Sequence, residues 1–163
     1  MAAPSYCRLI DQLCAITMIP CPSAFYEQTN LSVKEVDFSL KHTPGPGEGD
    51  VFIYASFGPL PTANREAVLQ RLLETNLYLL SGPHCPSLSY NSESGHVILI
   101  GHVPLDDLAA EHLLGLLGGI ADMASNWRIN YFLDASQPHR QPTPVQASTP
   151  LNRPSGLSNA LAQ

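Results

Sequence analysis

The residues that could do chemistry in this 163-residue chain are few, and their spacing is poor for it. Four cysteines stand at Cys7, Cys14, Cys21 and Cys85. None forms a Cys-x-x-Cys pair, and His84 and Cys85 are adjacent rather than spaced as metal ligands are, so no zinc site is expected. His96 and His102 fall on one face of a strand but lack a third ligand. The segment Pro44 to Gly49 is rich in glycine yet has no Gly-Lys-Ser/Thr to hold a phosphate, and reads as a turn. Asp106 and Asp107 suit the positive end of a helix dipole better than an acid–base pair. Gly-x-Ser-x-Gly does not occur. A Cys–His hydrolase needs residues far apart in sequence to meet, with one cysteine exposed, low in pKa and beside a histidine. No catalytic residue, metal or cofactor is therefore assigned, and the chain is not expected to be an enzyme.

The elements that would position such residues are clear in the pattern. Tyr6, Leu9, Ile10, Leu13 and Ile16 recur at helical spacing over residues 5–18, and Pro20 and Pro22 end the run. Three extended segments follow at 26–33, 36–42 and 50–57. In the second, Val36, Phe38 and Leu40 alternate with Asp37, Ser39 and Lys41, as in a half-buried strand. In the third, Val51, Ile53, Ala55 and Phe57 take one face while Phe52 and Tyr54 take the other, which predicts a central strand with both faces covered. A second helix, capped by Thr62 or Asn64, carries Leu69, Leu72, Leu73, Leu77 and Leu80 as its stripe. A hairpin joins Leu88–Tyr90 to Val97–Ile100, and a third helix begins near Asp106. Gly115, Gly118 and Gly119 inside that helix predict a close backbone approach to another element or a weak point in the helix, because each costs up to about 1 kcal/mol against Ala.

Composition bounds the partners. All 14 acidic residues and six of the eight basic ones lie within residues 1–134, a balance of −8. Such a body repels phosphate backbones and anionic lipid, so neither nucleic acid nor membrane is expected. No secretory signal and no apolar span of about 20 residues is evident, and Cys7 and Cys14, about 10 Å apart on one helix, are too distant to bridge. Reduced thiols in a cytoplasm are the simpler reading. From Ala135 on, five prolines mix with Ser, Thr, Gln and Ala, which predicts a disordered tail over 135–163 behind a single domain at 1–134.

The resulting order, α-β-β-β-α-β-β-α, is an α+β fold with an antiparallel sheet packed by helices, and it resembles the class I type III secretion chaperones (the Tir chaperone-like family). Three stretches carry the resemblance: Glu66 to Leu77, with the pair Leu72–Leu73 followed by Asn76; Leu88 to Leu99, with Gly95 in the turn; and Val103–Leu105 running on to Trp127 and Arg128. The resemblance implies a homodimer in the bacterial cytoplasm that holds the N-terminal segment of a secreted effector soluble for export, with the secretion ATPase or sorting machinery as a further partner. It implies effector-binding surfaces built from Leu9, Leu13, Ile16, Phe38, Leu40, Phe52 and Tyr54, which accept side chains while an open sheet edge accepts a strand. It also implies a dimer interface at Leu73, Leu77, Leu88 and Tyr90. The bland alternative for each of these residues is ordinary core packing. The rival readings of the whole are a small thiol-dependent enzyme and a secretion-linked adaptor acting through the tail.

Overall fold

The computed structural model describes residues 3–20, 23–80 and 84–133. Cys21 and the segment 135–163 lie outside the described residues. Helix α1 (Pro4–Thr17) opens with proline in its first turn, where a missing N–H costs nothing, and stops at Met18 in the left-handed region. A short 3₁₀ turn over Ser23–Tyr26 leads into β1 (Thr29–Val33), so the first extended segment is shorter than its composition suggests. Then come β2 (Val36–Thr43), β3 (Asp50–Pro59), α2 (Arg65–Leu79), β4 (Ser87–Asn91), β5 (His96–Pro104) and α3 (Ala110–Asn130). The α+β expectation and the element order hold throughout.

The five strands form one antiparallel sheet in the order β1-β2-β3-β5-β4. β3 is the central strand, as its two apolar faces require. Its inward row, Val51, Ile53, Ala55 and Phe57, joins Val36, Phe38 and Leu40 of β2 and Val97 and Leu99 of β5 in the core. Helices α1 and α3 pack on each other, and Tyr6, Leu9, Ile10, Leu13, Leu113, Leu117 and Trp127 share that core. Tyr6 anchors α1 to the sheet: its hydroxyl lies 3.1 Å from Thr29 Oγ1 and 3.3 Å from the Leu40 carbonyl. Burial pushes this phenol above its ordinary pKa, and the Thr29 hydrogen bond partly opposes the shift.

The two ends of the sheet are finished by side chains. Between Ser56 and Gly58 the β3–β5 register shifts in a bulge, with Gly58 at φ 117°, where a side chain would be strained. Arg128 of α3 donates to the carbonyls of Phe57 (2.8 Å), Glu35 (3.0 Å) and Ser56 (3.1 Å), locking α3 over the bulge. Beside it the Trp127 ring packs edge-on to Tyr131 and tilted against Phe57.

Two local expectations are corrected. α3 begins at Ala110, not near Asp106: Asp107 is left-handed, and Asp106 Oδ1 instead accepts from the backbone N–H of Glu48 at 3.2 Å, tying down the Gly-rich loop. Of the two readings of Gly115, Gly118 and Gly119, the close approach fails, since a Cβ at any of them would meet nothing within 4 Å.

Candidate partner-binding surfaces

The core side of the sheet is covered by α1 and α3, whereas its outer side carries a row of half-open apolar groups. Phe52 and Tyr54 of β3 and Ile98 and Ile100 of β5 are adjacent there, because Phe52 pairs with His102, Tyr54 with Ile100 and Ser56 with Ile98. Phe52 and Tyr54 rings lie 6.4 Å apart, nearly parallel. Toward β1 this face opens into a depression of about 530 Å³ lined by Asn30, Ser32, Asp37, Ser39, Tyr54 and Ile98, among others. The depression runs out to β1, the edge strand, whose outward backbone pairs with no other strand of the described sheet. Aromatic and aliphatic floor, polar rim and an adjoining open edge together suit an extended peptide.

The residues nominated for effector contact divide between the two sides. Tyr54 and Ile16 are exposed and Phe52 is half-buried, whereas Leu9, Leu13, Phe38 and Leu40 sit in the core. Ile16 stands beside exposed Met18 and Ile19 at the end of α1. Ile98 joins the groove without having been singled out: it belongs to an ordinary strand pattern, and which side of the sheet lacks a helix is not written in that pattern.

Helix α2 presents the other apolar surface. Val68 and Leu72 are buried, and Leu69 and Leu79 pack partly against the core, while Leu73, Leu77, Tyr78 and Leu80 are all more than two-thirds exposed. Of the nominated dimer contacts, Leu73 and Leu77 lie in this patch. Tyr90 is partly exposed, with the Arg65 guanidinium 4.9 Å above its ring, and Leu88 is buried. The helix is held to the sheet by Asn76, whose amide donates to the Leu88 carbonyl (3.0 Å) and accepts from the Leu88 N–H (2.7 Å).

The potential chemical groups are redistributed as well. His96 and His102 are not partners: His96 Nδ1 lies 3.2 Å from Ser56 Oγ, and His102 Nε2 lies 3.0 Å from Nδ1 of His84. Cys7 and Cys14 are unbridged, Cys14 being buried. Among the described residues no helix is long and apolar enough to cross a membrane.

A layered sheet with one helix pair on its core side, a lateral helix and an uncovered outer face is the fold of the type III secretion chaperones. The structure resembles a chain of the ExsC–ExsE complex (TM-score 0.66, 16% identity, covering 80% of this chain and 97% of that one). It also resembles the Yersinia pestis type III secretion chaperone SycH, solved with a fragment of YscM2 (0.57, 14%, 74% and 98%). A third likeness is to the ExoT–SpcS complex of Pseudomonas aeruginosa (0.51, 25%, 74% and 97%). In sequence the chain matches the Tir chaperone protein (CesT) family over residues 8–128, and it belongs to that family. No protein of curated function matches it in sequence. Family and fold together make it an effector-binding chaperone of type III secretion.

Proposed function

We propose that this chain works as a homodimer in the bacterial cytoplasm, holding the N-terminal segment of an effector extended across the outer face of its sheet and catalysing nothing. The observation that carries the reading is that outer face: Tyr54 and Ile98, with Asn30, Ser32 and Ser39 around them, form a depression that opens onto the edge of β1, and Phe52 extends the apolar row beyond it. Side chains of the client would enter the depression, and its backbone would pair with β1. The pairing tolerates many sequences, so selectivity would come from the depression. Leu9, Leu13, Phe38 and Leu40 then act from behind, by fixing the sheet against α1, while Ile16, Phe52 and Tyr54 touch the client.

The dimer reading rests on α2. Four large apolar side chains on one exposed helix are a liability in a lone chain, and a second copy covers them by an isologous contact that uses the patch twice. In this arrangement Leu73, Leu77 and Tyr90 face the partner copy, and Leu88 supports them from the core. Handing the client to the secretion ATPase or sorting machinery is the step that would follow holding.

Affinity capture of the tagged protein from its own bacterium under secretion-inducing conditions tests the reading, with light scattering on the recovered complex. One dominant exported protein, held through its N-terminal region by two copies of this chain, is the expected result. A monomer without an exported partner would overturn it.

A further inference from the structure

At the end of the outer face remote from the depression, three metal-ligand side chains meet from three separate stretches of sequence. Asp50 opens β3, His102 lies near the end of β5, and His84 comes from the connection between α2 and β4. One ligand atom from each lies within 4.8 Å of the other two. We infer that Asp50, His84 and His102 form a binding site for a borderline divalent transition metal such as Zn²⁺, with three protein ligands and an open fourth position. The inference is independent of the effector-binding reading.

Geometry and donor chemistry both support it. Two imidazole nitrogens on a tetrahedral Zn²⁺, each about 2.0–2.1 Å from the ion, stand roughly 3.3 Å apart. Nδ1 of His84 and Nε2 of His102 are already 3.0 Å apart, so a few tenths of an ångström of ring movement admits the ion. The His102 ring is held by stacking on Phe52 (centroids 5.2 Å, planes 20° apart), which fixes the direction of its nitrogen. His84 meets it edge-on, at 4.9 Å and 77°, and is exposed, which leaves it free to adjust. The half-buried Asp50 carboxylate makes no ion pair with any described residue and supplies the third donor. Two nitrogens and one oxygen favour Zn²⁺, Co²⁺ or Ni²⁺ over Mg²⁺ and Ca²⁺, which prefer oxygen alone. Ligation would staple the α2–β4 connection to the start of β3 and the end of β5, leaving the fourth position to water or a donor side chain.

The test is a titration of the untagged, metal-stripped full-length protein with Co²⁺, followed by visible absorption, and then displacement by Zn²⁺. One equivalent per chain with the intense bands of a low-coordinate site is expected, displaced by Zn²⁺ and not by excess Mg²⁺. His84→Ala, His102→Ala and Asp50→Asn should each weaken binding at least about tenfold, whereas Cys85→Ala should leave it unchanged. His84 is exposed, so His84→Ala should keep the metal-free circular dichroism spectrum and melting temperature, and should lose the rise in melting temperature that Zn²⁺ gives the parent protein. Absence of a Co²⁺ spectrum, binding untouched by His84→Ala, or binding lost only with Cys85→Ala would each overturn the assignment.

Discussion

The amide of Asn76 stands where a sixth strand would otherwise pair with β4, giving and receiving one hydrogen bond at Leu88. An edge strand needs such cover, and here a helix side chain supplies it. Asn76→Leu should destabilise the fold by about 1–3 kcal/mol, because two partly buried backbone groups lose their partner. Asn76→Asp keeps the shape and the acceptor but removes the donor, so it should destabilise too. Urea denaturation of both variants checks the pair, and an Asp variant as stable as the parent would mean that donation to the Leu88 carbonyl contributes nothing. Tyr6 makes a different prediction. Its phenol ionises less readily in the folded chain than in the unfolded one. Its contribution is therefore complete below the ordinary tyrosine value of about 10 and is lost as pH rises through the higher folded value. Tyr6→Phe should cost about 1 kcal/mol at neutral pH, since Thr29 keeps its 2.8 Å bond to the Phe25 carbonyl, and should make the alkaline loss of stability shallower. Melting temperatures from pH 7 to 11 measure both effects.

Among the elements, α2 carries the most direct test. Leu72 is buried and Leu73 exposed, although they are neighbours in the leucine stripe. Leu72→Ala should cost about 2–5 kcal/mol of stability, as core leucines do. Leu73→Glu combined with Leu77→Glu should leave the melt of the single chain nearly unchanged and halve the mass seen by light scattering. A double variant that remains two chains would remove α2 from the dimer interface. The same helix shows how far the sequence can be read. Its periodicity places Leu69, Leu72, Leu73, Leu77 and Leu80 along one broad side, but periodicity reports which residues share a face and not what covers it. β3 was legible for the opposite reason: apolar residues on both faces demand a central position, whatever the neighbours. The outer face was half legible, through Phe52 and Tyr54, whereas Ile98 needed the strand order before it could be placed. The glycines of α3 left two readings open in the sequence, and the open space beside them rules out only the close approach. The meeting of Asp50, His84 and His102 was beyond reach, since it depends on β3 pairing with β5 and on where the α2–β4 connection lies.

For the whole molecule, the question is whether recognition resides in the folded layers or in the remaining residues. The family match ends at residue 128 and α3 ends at Asn130, so every described strand and helix, the apolar depression and the α2 patch lie before residue 134. All 14 acidic residues lie within residues 1–134, and salt dependence of client binding would report their share. Truncation after Asp134 removes five prolines and two arginines but no strand of the described sheet. The shortened chain should therefore melt like the full one, remain two chains by light scattering and bind the captured client with unchanged affinity, whereas Tyr54→Arg in the full chain should weaken that affinity at least about tenfold by placing a charge in the apolar depression. Calorimetric titration of the two proteins separates the readings. Binding that survives truncation and fails with Tyr54→Arg puts recognition on the sheet. The reverse pattern would put it in residues 135–163 and make this chain an adaptor that borrows a chaperone's fold.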